Sequence, residues 1–164
     1  MTYGRKILLL PVAAAALAAS GPAAAQPAPV FQFEYAVKIV CGRISNSRGP
    51  LALGNYAVAV NIHNPGAPQG FARKIAIAFP GQPGPISPFK LAALKKDQAM
   101  EVDCTQIAIQ LQEEQIATPG FFTGFLVIQS FQPLDVVAVY TAAPLASNEV
   151  AGLHTERVTP RKMQ

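Results

Sequence analysis

Between residues 33 and 141 the chain alternates apolar and polar positions in short runs broken by proline and glycine. In Phe33–Cys41, Phe33, Tyr35, Val37, Ile39 and Cys41 fall on one face and Glu34, Ala36, Lys38 and Val40 on the other. That period of two predicts a half-buried strand. Asn55–His63 repeats it, with Tyr56, Val58, Val60 and Ile62 set against a face of small or polar residues, Ala57, Ala59, Asn61 and His63. Asn64-Pro65-Gly66 stops this strand, and Phe71–Phe79 follows closely enough for a hairpin connection. There Phe71, Arg73, Ile75, Ile77 and Phe79 oppose Ala72, Lys74, Ala76 and Ala78. In Ala99–Cys104, Met100, Val102 and Cys104 point one way while Glu101 and Asp103 point to solvent.

The most apolar stretch is Phe121–Thr141. Phe121–Ser130 and Leu134–Thr141 are rich in β-branched and aromatic residues, and Phe131-Gln132-Pro133 separates them, which predicts a β-hairpin. A two-stranded unit cannot cover its own apolar face, so the other strands must supply a sheet for it to pack on. Pro80–Pro88 holds four prolines and two glycines. This excludes a central strand and predicts an edge crossing or loop, with Phe89, Leu91 and Leu94 tucked beneath it. Thr105–Ile116 abandons the period of two. With Thr105 as N-cap and Ile107 four residues before Leu111, it predicts a short helix that closes before Pro119-Gly120. Beyond it lies one extended candidate, Leu153–Val158, and a basic end after Pro160 that is expected to be disordered.

Six or seven short strands and one short helix predict an all-β fold, an antiparallel β-sandwich of immunoglobulin-like type. The sequence has no tryptophan, the residue usual in the core of true immunoglobulin domains. A small β-barrel is the alternative, disfavoured by the proline-rich crossing and the helix. The predicted organisation is a signal peptide over 1–25, a flexible leader over 26–32, the β-domain over 33–142 and a C-terminal extension, partly disordered, over 143–164.

The leading segment decides the compartment. Arg5 and Lys6 precede an apolar run from Ile7 to Ala19, and Ala23-Ala24-Ala25 offers a cleavage site before Gln26. The run is short for a membrane span and is broken by Pro11, Gly21 and Pro22. Gln26 stands where a lipid anchor would need cysteine. The expected location is therefore secreted or periplasmic, with no transmembrane segment after cleavage. Removing residues 1–25 takes Arg5 and Lys6 with it, so the net charge falls from +4 to +2. Lys90, Lys95 and Lys96 form the densest basic patch and no aromatic ladder accompanies them, so nucleic acid is not an expected partner. Cys41 and Cys104 are the two cysteines. An even count in an exported chain predicts a disulfide between them, and neither has a neighbour at metal-ligand spacing.

Three groups of segments carry a resemblance. They are Lys38-Ile39-Val40-Cys41-Gly42, then Asn61-Ile62-His63-Asn64-Pro65 with Glu101-Val102-Asp103-Cys104, and Gly124–Ser130 with Leu134-Asp135-Val136 and Ala138–Thr141. As a set, over roughly 33–141, the chain resembles a family of small secreted bacterial proteins of unknown function. The resemblance implies secretion and a single β-rich domain, and it carries no activity, cofactor or site residue across.

Candidate chemistry is sparse. His63 and His154 lack the His-x-His or HExxH spacing of a metal site, and His63 is expected to end a strand and hydrogen-bond its own turn. Asp135 is expected on an exposed sheet face. Ser45, Ser47, Ser87 and Ser130 have no nucleophile-elbow context. Phe121, Phe122 and Phe125 are expected in the core. No catalytic residue, cofactor or metal ligand is assigned. The remaining feature is the small-residue face of Ala57, Ala59, Asn61 and His63, joined with Ala76 if the strands lie side by side. Two readings stay open for it: close packing against the proline-rich crossing, or a surface on which a partner's backbone can dock. The functional classes are a non-enzymatic binding or interaction module with a protein or envelope partner, and a structural subunit that self-assembles through a sheet face or edge. A metal-binding protein or enzyme is the disfavoured third.

Overall fold

The computed structural model describes residues 30–46, 51–147 and 149–163. The predicted signal peptide and residues 26–29 of the leader lie outside the described residues. Ten strands and one helix follow in order. They are β1 (Phe33–Ile44), β2 (Gly54–His63), β3 (Gln69–Phe79), β4 (Gln82–Ile86), β5 (Lys90–Leu94), β6 (Ala99–Asp103), α1 (Cys104–Glu113), β7 (Phe121–Ser130), β8 (Asp135–Ala143), β9 (Gly152–Arg157) and β10 (Arg161–Lys162).

All pairings are antiparallel, and the path through the sheet is β4-β3-β7-β1-β2-β8-β9. β5 continues the β4 side of β3, β6 lies on β2, and β10 pairs with the start of β1. The path is open at both ends, so the barrel alternative does not hold.

The corner between β1 and β2 shapes the molecule. β1 pairs with β7 from Phe33–Ser130 through to Gly42–Phe121, but with β2 only over Gly42–Ile44 against Gly54–Tyr56. Gly42 belongs to both ladders. Its φ of 107° is open to glycine, and a Cβ there would stand 2.1 Å from the carbonyl oxygen of Gly120. The alternating apolar residues on either side of this corner meet in one core. It contains Tyr35, Val37, Ile39 and Cys41 from β1, Val58, Val60 and Ile62 from β2, Phe71, Ile75 and Ile77 from β3, Leu126 and Ile128 from β7, and Val136 and Ala138 from β8.

The helix closes one end of this core with Ile107 and Leu111, both fully buried. Its N-cap is Asp103 rather than Thr105. The Asp103 carboxylate accepts from the backbone N–H groups of Thr105 (2.8 Å) and Gln106 (2.9 Å), and Gln106 Oε1 accepts from Asp103 N–H. Asp-x-x-Gln completes a capping box one turn's start earlier than a threonine cap would. The predicted disulfide is present. Cys41 and Cys104 join β1 to the first residue of α1, with Cα atoms 5.6 Å apart.

Several connections differ from expectation. β7 and β8 do not pair, so Phe121–Thr141 is not a hairpin: β7 sits between β1 and β3, and β8 between β2 and β9. The link between them lacks the glycine or asparagine of a tight hairpin turn and crosses from one half of the sheet to the other. Tyr35 Oη holds it there, accepting from Leu134 N–H (2.7 Å) and donating to Leu134 O (2.9 Å). Likewise β2 and β3 are not a hairpin. Asn64, fully buried, turns the chain between them instead. Its amide donates to Ala67 O (2.9 Å), Leu94 O (3.1 Å) and Lys95 O (3.2 Å), and its Oδ1 accepts from Gly66 N–H and Gln69 Nε2.

The proline-rich crossing forms edge strand β4, as its composition predicts. Leu94 is buried nearby, but Phe89 and Leu91 are exposed; Lys74 Nζ lies 4.6 Å from the centre of the Phe89 ring. Phe122 is buried, whereas Phe125 faces outward beneath Lys38 Nζ, 5.1 Å from its ring centre. The C-terminal segment is not an appendage. β9 extends the sheet beyond β8, and β10 is fastened to β1 by an Arg161–Glu34 ion pair. In the leader, Phe31 stacks on Phe131 with ring centres 4.5 Å apart, and Gln32 N–H donates to Ser130 O.

Candidate functional site

The predicted small-residue face lies on the outside of β2. Ala57 is exposed, and Ala59, Asn61 and His63 are half-buried between β8 and β6. Residues directly opposite in an antiparallel pair share a face. Ala57 therefore stands beside Thr141, Ala59 beside Val139, and Asn61 beside Val137, while Asp103, Glu101 and Ala99 of β6 flank Ala59, Asn61 and His63. The face is small and β-branched along its middle, with charge at its borders.

Ala76 does not join it. β3 lies three strands from β2 along the path, and Ala76 has Phe125 on one side and Ile86 on the other. The alanines of β2 and β3 share a composition, not a surface. Nor does the proline-rich crossing cover the β2 face, because β4 pairs with β3 in the far half of the sheet.

One end of the β2 face is electrostatically fixed. His63 Nδ1 lies 3.4 Å from Asp135 Oδ2, and the other Asp135 oxygen accepts from Arg157. Asp135 is 38 % exposed, so the pairing is a surface one, worth well under 1 kcal/mol per contact. His63 thus serves Asp135, and its expected role in the turn falls to Asn64. Among the described residues no group of three histidines, cysteines or acids converges in a metal-binding cluster. Ser87 Oγ accepts from Ile75 N–H and Gln110 Nε2, and Ser130 Oγ donates to Gln132 O, so both are structural. Ser47 lies outside the described residues.

Beyond β8, β9 forms the border of this surface. All six of its residues are exposed, and no strand among the described residues pairs with its second side. Two of its side chains are set by Tyr140: His154 stacks on the ring with centres 6.0 Å apart, and Glu156 accepts from Tyr140 Oη at 3.1 Å. Burial, together with the Glu156 carboxylate that takes its hydrogen bond and repels the phenolate, pushes the Tyr140 hydroxyl up to about 12. Val40, Leu51, Tyr56, Ala57, Tyr140 and Leu153 line a shallow apolar depression of about 370 Å³ beside it.

A larger cleft, about 490 Å³, opens at the corner where β1 leaves β7. Ile44, Leu51, Phe79, Phe121 and Phe122 form its apolar wall and Arg43 supplies its charge. The sequence pattern locates the strands that build both concavities. It does not show which strand is left at an edge, because that depends on pairing between distant segments.

No family model matches the chain, and no curated protein matches it. Among solved structures, the crystal structure of Thermotoga maritima 1070 is similar at a TM-score of 0.48 and 12% identity, over 79% of this chain and 92% of that one. Likeness at that level bears on neither the fold class nor the function of this chain.

Proposed function

We propose that this protein is an exported, non-enzymatic binding module. Its sheet, folded over one core, serves as an immunoglobulin-like sandwich, and the outer β2–β8–β9 surface receives a protein partner of the cell envelope. The observation that carries this reading is the surface itself: a run of Ala57, Ala59, Val137, Val139 and Thr141 that ends in a strand whose outer backbone edge is unpaired among the described residues. A flat face of small side chains permits close approach of another backbone, and a free edge offers main-chain hydrogen bonds to it. The n-, h- and c-region pattern of residues 1–25, the disulfide and the resemblance to small secreted bacterial proteins support export to the periplasm or beyond. An intact mass that begins at Gln26 is the expected product.

The test of the surface is Ala59→Arg, which places a long charge at its centre. The expected result is a folded protein with an unchanged unfolding midpoint that no longer co-purifies with its envelope partner. A folded variant that keeps every association removes the face from consideration, and a variant that unfolds returns it to the core.

A further inference from the structure

We propose that β9 is a self-association edge, and that a second copy of this chain pairs with it antiparallel about a two-fold axis through Thr155. The inference rests on reading the β2–β8–β9 surface as an interaction surface, and it assigns the backbone edge of that surface to a second copy of the chain. Val158 N–H donates to Val136 O in the same register that sets Val137 opposite Arg157. In an antiparallel ladder hydrogen-bonded pairs alternate. The backbone groups of Gly152, His154 and Glu156 are therefore spent on β8, and those of Leu153, Thr155 and Arg157 face the open side.

A two-fold axis normal to the sheet keeps both copies' faces in common and pairs residues of the same parity. Centred on Thr155, it sets Thr155 opposite Thr155 and Leu153 opposite Arg157 as hydrogen-bonded pairs. His154 then meets Glu156 in the closer, non-hydrogen-bonded position, twice by symmetry. A Thr–Thr cross-strand pair is favourable, and an imidazole N–H of His154 can donate to the Glu156 carboxylate. Neighbouring registers are worse. An axis through His154 leaves each Glu156 opposite Gly152, one through Glu156 sets the two carboxylates together, and one through Arg157 the two guanidinium groups. An axis through Leu153 leaves Glu156 and Arg157 overhanging. The Thr155 register alone sets a hydrogen-bond donor opposite each Glu156 carboxylate. Tyr140 holds both members of the cross-strand contact before any partner arrives, since it stacks on His154 and donates to Glu156.

Sedimentation of the exported protein over a range of concentrations should show a monomer–dimer equilibrium. Thr155→Pro deletes an N–H that β8 does not use, so the domain stays folded. It should raise the dimer dissociation constant roughly 5- to 100-fold, the effect of two lost interstrand hydrogen bonds. Glu156→Lys should raise it roughly 2- to 30-fold through the loss of two cross-strand contacts, and His154→Glu combined with Glu156→Lys should restore it. That rescue reports on the register, because among the described residues no hydrogen bond or ion pair joins His154 to Glu156 within one chain. A protein that stays monomeric, a dimer indifferent to Thr155→Pro, or a double variant no better than Glu156→Lys would overturn the proposal. If the monomeric protein still loses its envelope partner on Ala59→Arg, the interaction surface stands and the self-pairing alone fails.

Discussion

The residue that best shows how this chain is held together is Asn64, which no functional motif singles out. It is fully buried and joins two links that are distant in sequence, β2 to β3 and β5 to β6, through carbonyls at Ala67, Leu94 and Lys95. Its own backbone continues the junction: its N–H donates to Gln98 O and its carbonyl accepts from Asp97 N–H. Asn64→Ala would leave the buried Leu94 carbonyl, the part-buried Ala67 and Lys95 carbonyls and the Gln69 amide without their partner. The expected loss is about 2–4 kcal/mol, since each unsatisfied buried polar group costs about 1–3 kcal/mol. Denaturant unfolding of Asn64→Ala and of wild type measures it; a change below about 1 kcal/mol would show that water takes over these bonds. The sequence marks Asn64 only as part of Asn-Pro-Gly, a turn signal. That the same side chain serves a second, remote loop becomes visible only when the loops meet.

At the scale of elements, strand positions were legible because each strand buries one face, and burial of one face leaves a period of two. Partners were not. Phe121–Ser130 and Leu134–Thr141 look like hairpin strands, and so do β2 and β3, because proximity in sequence is the only pairing information a linear pattern holds. In the fold, both pairs are separated across the corner that Gly42 makes. The helix was legible through its change of period, but its cap was misplaced, since Asp103 ends a strand and caps the helix at once. In the polar C-terminus the extended candidate Leu153–Val158 marked β9 to within a residue, while β10, held through side-chain charge, left no pattern. Burial raises the Glu34 carboxyl, but the hydrogen bonds from Gln129 and Arg161, with the charges of Arg161 and Lys74, outweigh it and leave it below the ordinary 4.5. A depressed carboxylate stabilises the fold above its unfolded value and loses that contribution as pH falls through the folded one. Glu34→Gln should therefore flatten the acid limb of the stability profile below about pH 4.5, with little change in its shape at neutral pH. An acid limb unchanged by the substitution would show that β10 is held by other means.

For the whole molecule, the disulfide closes a loop between residues 63 apart and ties the β1 side of the core to the helix. The chain-entropy account assigns such a closure about 4 kcal/mol, and removal of a native disulfide from a small secreted domain costs about 2–5 kcal/mol. Cys104→Ser should fall in that range by denaturant unfolding, and two free thiols in the protein purified under non-reducing conditions would contradict the pairing. This cross-link was legible from the even count and the leading segment alone. The proposed interaction surface was legible in half: the composition of Ala57, Ala59, Asn61 and His63 was visible, while its exposure, its separation from Ala76 and the edge beside it, unpaired among the described residues, depend on strand order. The central claim is that this edge pairs with another copy. Residue-resolved amide exchange of the purified protein at low and high concentration addresses it most directly. The account predicts that the amides of Leu153, Thr155 and Arg157 exchange fast when dilute and become protected together as concentration rises, while those of His154 and Glu156 change little. Equal exchange of Leu153, Thr155 and Arg157 at both concentrations would contradict it.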